Sequence, residues 1–140
     1  MQEGVESRIF TTVRQVEKNK LFETPPHGFS VLAAEAFSQK NVLIVVGAAG
    51  IAVRLVAPLV KRKDSDSPVL VADEKGTFVI PLLSGHIGGA NEIARMLARH
   101  LGAVPVITTA TDVNGLFAVD EWAARKGFFL SSLKAAKDFA

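Results

Sequence analysis

The sequence contains no cysteine. This absence excludes disulfide bonds, thiolate nucleophiles, iron–sulfur ligation and cysteine-based zinc sites. It agrees with a cytoplasmic location, which we expect for this chain. Three scattered histidines, His27, His86 and His100, do not have the spacing of a metal site, so the sequence predicts no bound metal.

The chain also lacks an excess of charge of one sign and long apolar runs. The sequence contains 16 basic and 14 acidic residues, which gives a net charge of +2. No basic block is large enough to indicate nucleic-acid binding. The longest apolar stretches, 42–46 and 50–60, are too short and too interrupted to span a bilayer. The first residues do not have the design of a signal peptide. We therefore expect neither a nucleic-acid partner nor a membrane partner.

With 140 residues, 49% of them hydrophobic, the chain is long enough for one packed domain, 1–140. Apolar periodicity and turn residues delimit alternating strands and helices. The predicted strands are 9–13, 42–46, 69–72, 78–83 and 105–107. The predicted helices are 28–39, 51–60, 90–101 and 117–125, with a last short helix at 131–139.

This alternation predicts an α/β fold, a Rossmann-like three-layer sandwich with a mostly parallel sheet. The continuous apolar run 42–46 indicates a strand covered on both faces. The turn at 73–76 predicts one hairpin between strands 69–72 and 78–83. Ligands of such sheets bind at the carboxyl ends of strands. Three loops that leave strands, 47–50, 84–89 and 108–112, are therefore expected to line one cleft.

The segment Ser84-Gly-His-Ile-Gly-Gly-Ala-Asn91 carries the clearest functional pattern. Its glycines allow a ligand to approach the backbone, and N–H groups near Gly89 and Ala90 could hold a carboxylate or an oxyanion at the helix start. His86 could transfer a proton near neutral pH. The alternative is that the glycines form only a tight turn and His86 is a surface residue. The density of functional residue types favours the first interpretation.

Polar residues in the other two loops are open to two interpretations. Arg54, the one charged residue of the predicted helix 51–60, leans back toward loop 47–50. It could bind an anionic ligand or form a structural ion pair with Asp73 or Asp112. The threonines of 108–112 favour ligand contact, whereas Asp112 taken alone is better explained as a cap of the next helix.

Nucleotide-binding signatures are missing. No Gly-x-x-x-x-Gly-Lys-Ser/Thr sequence occurs, and Gly47-Ala-Ala-Gly50 lacks the third glycine and the spacing of the dinucleotide fingerprint. Segment 84–91 is not a Gly-x-Ser-x-Gly nucleophile elbow either. A nucleotide-binding function is unsupported by these motifs.

Three segments together resemble a known family. Gly50-Ile-Ala-Val-Arg-Leu-Val-Ala-Pro58, Leu82-Leu-Ser-Gly-His-Ile-Gly-Gly-Ala-Asn91 and Pro105-Val-Ile-Thr-Thr-Ala-Thr-Asp112 are similar to the amino-terminal and middle regions of cobalt-precorrin-5A hydrolases, the CbiG family. Members of that family usually have an additional first strand and a carboxy-terminal domain. The chain therefore resembles a fragment or a shortened member, with the carboxy-terminal domain absent.

The resemblance implies an enzyme of anaerobic cobalamin biosynthesis. It would open the δ-lactone of cobalt-precorrin-5A and release acetaldehyde, giving cobalt-precorrin-5B. The partner is then a corrinoid small molecule, water is the co-substrate, and cobalt arrives within the substrate, so no cofactor is expected. A homodimer is a candidate assembly.

For that chemistry the catalytic residues are predicted to be His86, as general base, and Ser84, which would orient water. N–H groups of Gly88 and Gly89 would hold the oxyanion with help from Asn91. The predicted substrate contacts are Gly50, Arg54, Gly85, Gly88, Gly89, Asn91, Thr108, Thr109, Thr111 and Asp112. Two alternatives remain: a non-catalytic tetrapyrrole-binding fragment, and a nucleotide- or sugar-phosphate-binding α/β domain.

Overall fold

A computed structural model describes residues 6–12 and 19–116. Its elements are β1 Ile9–Phe10, β2 Phe22–Glu23, α1 Phe29–Ser38, β3 Leu43–Val46, α2 Ala49–Val56 with a 3-10 turn Ala57–Leu59, β4 Val69–Ala72, β5 Phe78–Leu83, α3 Ala90–Leu101, β6 Val104–Pro105 and α4 Ala110–Val113. The predicted helices 117–125 and 131–139 lie outside the described residues.

Four of the strands form one mixed sheet in the order β3-β4-β5-β6. β3 is parallel to β4, β5 is antiparallel to β4, and β6 is parallel to β5. β1 and β2 form a separate parallel pair. An α/β fold with a mostly parallel sheet and one hairpin is therefore confirmed.

Helices cover the sheet on opposite faces. On one face, Leu70 and Val79 pack with Ala90, Ala94 and Ala98 of α3 in the buried core. The crossovers β3-α2-β4 and β5-α3-β6 both step in the same direction across the sheet, but they start from strands of opposite direction. Because such crossovers are right-handed, α2 and α3 lie on opposite faces, which gives three layers. All four residues of β4 are accordingly buried.

The burial of β3 differs from the prediction for segment 42–46. The side chains of Ile44 and Val46 are 44% and 68% exposed, so the prediction of a strand covered on both faces is wrong. Ile44 pairs with Leu70 and lies on the α3 side of the sheet. Helix α3 packs on β4, β5 and β6, whereas β3 is the edge strand of this sheet.

Helix α2 begins two residues earlier than predicted and ends at Val56, where the 3-10 turn takes over. Pro58 lies in that turn, and its missing N–H explains why the α-helix does not continue. None of the described helices has the length and apolar character that a membrane span requires.

The hairpin determines where the three loops lie. β3 and β4 are parallel, so loop 47–50 and Asp73 follow strands that end together. β5 and β6 run the opposite way, so loop 84–89 and segment 108–112 lie at the other end of the sheet. The prediction that all three loops line one cleft is therefore wrong for loop 47–50 and correct in placing 84–89 beside 108–112.

Candidate active site

A histidine–aspartate pair joins the two neighbouring loops. His86 Nε2 lies 2.8 Å from Asp112 Oδ2, and Thr111 Oγ1 lies 2.9 Å from the same nitrogen. Both partners are largely enclosed, with side chains 16% and 13% exposed for His86 and Asp112. The pair combines a group that can transfer protons with a carboxylate that can orient it.

Asp112 is not the N-cap of α4, and the predicted helix 117–125, which it was expected to cap, lies outside the described residues. It lies within α4, whose N-cap is Thr109, and no side chain caps that helix. The carboxylate instead accepts hydrogen bonds from other side chains, because His86 and α3 bring donors to it. Within the described residues the carboxylate therefore belongs to this cluster, and the capping of helix 117–125 stays a prediction.

Asn91 and Thr109 complete the contacts on Asp112 Oδ2. Asn91 Nδ2 donates to Asp112 Oδ2 and to Thr109 Oγ1, each at 3.0 Å, and Thr109 Oγ1 donates to Asp112 Oδ2. Asn91 is 1% exposed, and its Oδ1 is a buried oxygen with no partner among the described residues. The predicted residues His86, Asn91, Thr109, Thr111 and Asp112 thus form one cluster.

Arg95 is the residue of this cluster that the sequence did not predict. Its Nη2 donates to Asp112 Oδ1, and its Nη1 lies 3.5 Å from Glu92 Oε2. The available signal was spacing, since Arg95 lies four residues after Asn91 on the same face of α3. This spacing alone does not indicate a function, because the sequence does not show that Asp112 lies beside that face.

The surroundings of Asp112 keep it ionised. Burial alone raises the pKa of the carboxyl, but hydrogen bonds from Thr109, His86 and Arg95, with the charge of Arg95, lower its pKa from 3.8 to about 2. Near neutral pH the group is therefore a carboxylate, so the proton shared with His86 resides on Nε2.

The loop 84–89 caps α3 with its own carbonyl groups. Gly89 N donates to His86 O, Ala90 N to Ser84 O and Asn91 N to Gly85 O. The helix start therefore does not offer free N–H groups at Gly89 and Ala90, and the predicted oxyanion contact at Gly89 has no donor available in this arrangement. The N–H of Gly88 makes no bond within the described part of the chain.

Ser84 has a structural role in the same loop. Its Oγ donates to Asp66 O at 2.7 Å, and its backbone is left-handed, with φ 57°. A Cβ on Gly88 would lie 2.4 Å from Ser84 Cβ, and a Cβ on Gly85 would lie 2.8 Å from Asn91 Oδ1. Gly85 and Gly88 are thus required by close packing. The predicted orientation of water by Ser84 stays a prediction.

Gly50 and Arg54 lie away from this cluster. Loop 47–50 is at the other end of the sheet, and Arg54 Nη1 donates to Gly50 O at 3.0 Å, folding back toward that loop as its helix position predicts. Neither alternative ion pair is present among the described residues, since Asp73 accepts from the N–H groups of Lys75 and Phe78, and Asp112 from Arg95. Thr108 is exposed beside the cluster.

The described residues contain no group of three or more His, Asp or Glu side chains that could hold a metal ion.

The histidine–aspartate pair of the cluster can transfer a proton. With Nε2–H directed at a carboxylate, the lone pair of a neutral imidazole is on Nδ1, and the imidazolium formed on proton uptake is stabilised by the adjacent charge.

Comparison with known proteins gives consistent matches. The family model described as cobalamin synthesis G N-terminal matches residues 31–112, more than half of the chain. The chain is 54% identical over 109 residues to a cobalt-precorrin-5A hydrolase from Salmonella typhimurium, covering 78% of this chain and 31% of that protein. It is 45% identical over 102 residues to a cobalt-precorrin-5A hydrolase from Priestia megaterium, covering 73% and 27%.

A solved structure of a cobalamin biosynthesis protein G homolog from Sulfolobus solfataricus aligns with 59% of this chain and 24% of its own, at 35% identity and a TM-score of 0.45. The chain thus spans about a third or less of the length of the proteins it matches.

Proposed function

The chain belongs to the cobalamin synthesis G N-terminal family, and we propose that it carries the proton-transfer part of a cobalt-precorrin-5A hydrolase. The names of the two curated relatives support the reaction, and the biosynthetic context supports a corrinoid substrate and a cytoplasmic location. The observation that carries the proposal is the contact between His86 Nε2 and Asp112 Oδ2 at the carboxyl ends of β5 and β6. Cobalt belongs to the substrate, and water is the co-substrate.

In the proposed step, Nδ1 of His86 takes a proton from a water molecule as the water oxygen bonds to the lactone carbonyl carbon. The ring C–O bond then breaks, and the imidazolium returns the proton to the departing oxygen, leaving a hydroxyl group and a carboxylic acid, which loses its remaining proton to solvent. Release of acetaldehyde removes the hydroxyl proton and breaks the adjacent C–C bond, whose electron pair remains on the macrocycle and is then protonated.

Asp112 acts on the histidine rather than on the substrate. Its carboxylate holds the Nε2–H tautomer and stabilises the imidazolium, because it stays ionised near neutral pH. The N–H of Gly88 and the hydroxyl of Thr108 are two predicted substrate contacts near this pair that bond to no other described residue. Gly50 and Arg54 would contact only a part of the substrate that extends to the other end of the sheet.

Acetaldehyde release from cobalt-precorrin-5A tests this proposal directly. The His86→Ala variant is expected to lose about 10²- to 10⁴-fold in turnover, the range for a general base. His100→Ala is the matched control, since His100 is exposed on α3 and contacts Met96 O. Equal turnover of the wild type and His86→Ala would remove His86 from the mechanism.

Measurements of ligand binding and of melting temperature, made beside the acetaldehyde assay, separate the two alternatives. Corrinoid binding with no acetaldehyde from the wild-type chain would favour a tetrapyrrole-binding fragment. Nucleotides that raise the melting temperature while corrinoids leave it unchanged would favour a nucleotide-binding domain, because a ligand that binds the folded state stabilises it.

A further inference from the structure

Two residues of α3 hold opposite oxygens of one carboxylate. Asn91 and Arg95 lie four residues apart, so their side chains project from neighbouring turns of the same helix face. Asn91 Nδ2 bonds to Asp112 Oδ2, whereas Arg95 Nη2 bonds to Asp112 Oδ1. The helix therefore fixes the position and the rotation of the carboxylate plane.

The donors are divided unevenly between the two oxygens. Oδ2 is contacted by His86, Asn91 and Thr109. The described residues place one hydrogen-bonding side chain on Oδ1, and it is Arg95. Each carboxylate oxygen has about two lone-pair sites, so the donors on Oδ2 fill that oxygen, whereas Oδ1 depends on Arg95. Rotation about its Cβ–Cγ bond would break the Arg95 contact and move Oδ2 away from His86.

We propose that Arg95 is a positioning residue, which fixes the rotation of Asp112 so that Oδ2 holds His86 Nε2. Glu92 supports it, since Glu92 Oε2 lies 3.5 Å from Arg95 Nη1 and restrains the other arm of the guanidinium. Arg95 acts through Asp112 and needs no contact with the substrate. The effect on catalysis rests on the proposed function, whereas the effect on His86 does not.

The variants are Arg95→Met, Arg95→Lys and the control Arg99→Met. Methionine removes the donor, and lysine keeps the charge without the planar fork that two-armed contacts need. Arg99 is the same residue type one turn later on the same helix, and it forms no salt bridge within the described residues. A melting curve for each variant identifies those that remain folded.

The first readout is the imidazole ¹⁵N spectrum of His86 at about pH 8, where histidine is ordinarily neutral. We expect the wild type and Arg99→Met to show the Nε2–H tautomer. Arg95→Met should show a mixture of tautomers, and Arg95→Lys should be intermediate. A wild-type spectrum in folded Arg95→Met overturns the proposal. If Arg95→Met does not fold, the comparison of Arg95→Lys and Glu92→Gln with the wild type decides in the same way.

The second readout is acetaldehyde release. Arg95→Met should lower kcat about 10- to 100-fold, a magnitude typical of a displaced catalytic group, with KM changed less than about twofold. An effect confined to KM would place Arg95 on the substrate and contradict the positioning role. If the wild type releases no acetaldehyde, the proposed function fails, and the ¹⁵N spectrum alone decides the role of Arg95.

Discussion

At the scale of single residues, Asp112 shows what sequence can and cannot predict. Threonine hydroxyls and a carboxylate that follow a strand indicate that its segment is a candidate ligand contact. Its partners could not be identified, since His86 lies 26 residues away in sequence and Arg95 lies 17. A short polar segment is compatible with capping its own helix or with binding a distant side chain, and only the packing of α3 decides between them.

The ionisation of Asp112 predicts a specific dependence of stability on pH. A lowered pKa in the folded state means that the stabilisation is present above the ordinary carboxyl pKa of 3.8 and is lost as pH falls through about 2. From this shift the contribution is about 2 kcal/mol at neutral pH. We expect Asp112→Asn to lower the free energy of unfolding by about that amount at pH 7.

Urea unfolding of both proteins between about pH 2 and pH 7 checks this prediction. The difference between wild type and Asp112→Asn should shrink as the pH falls below about 4. Asp73→Asn is a useful comparison, since that half-buried carboxylate lies outside the cluster and its pKa is lowered mainly by backbone N–H groups of its own turn. A difference for Asp112→Asn that does not vary with pH would contradict the ionic account.

At the scale of elements, the loop 84–89 and helix α3 were predicted with nearly correct bounds. The amphipathic spacing of 90–101 indicates a helix over these residues. Gly102 marks its end, because a left-handed residue, here with φ 67°, terminates a helix. What the sequence could not decide was the use of the loop N–H groups. A glycine-rich loop before a helix can leave those groups for a ligand or turn its own carbonyls toward them, as this loop does.

Two glycine-to-alanine substitutions are expected to have opposite effects on stability. Gly88→Ala places a Cβ 2.4 Å from Ser84 Cβ and 2.8 Å from Ser84 O, so the loop must shift. A loss of about 1 to 3 kcal/mol is expected from this overpacking. Among the described residues, a Cβ at position 50 in α2 meets the flexible end of Arg54 at 3.2 Å, and alanine favours a helix by up to about 1 kcal/mol, so Gly50→Ala should raise stability.

The free energies of unfolding of these two variants, measured in urea, provide the comparison. Gly88→Ala as stable as the wild type would show that the close approach of Gly88 to Ser84 is not required. A marked loss in Gly50→Ala would show that position 50 tolerates no side chain.

At the scale of the whole molecule, the direction of the strands decides which loops can share a site. The sequence predicted the hairpin correctly, and a hairpin reverses the chain, so loop 84–89 had to leave the sheet at the end opposite to loop 47–50. The expectation of one cleft applies the rule for parallel strands to all three loops, although the hairpin reverses the direction of β5. The exposure of Ile44 could not be predicted from the sequence either, because an apolar run does not show that its strand lies at a sheet edge.

The layer arrangement predicts unequal effects for two residues that pair across neighbouring strands. Leu70 is fully buried under α3, whereas its partner Ile44 is 44% exposed on the same side of the sheet. Leu70→Ala should lower the free energy of unfolding by about 2 to 5 kcal/mol. Ile44→Ala should lower it by less than about 1 kcal/mol, since little buried surface is lost. Equal losses in urea unfolding would contradict the placement of α3.

The most direct test of the account is a double-mutant cycle in acetaldehyde release, with wild type, His86→Ala, Asp112→Asn and the double variant. If Asp112 acts only through His86, the double variant should be no slower than His86→Ala, because the second change removes a function already lost. Independent effects, with the two losses multiplying in the double variant, would contradict the claim that the two residues form one catalytic unit.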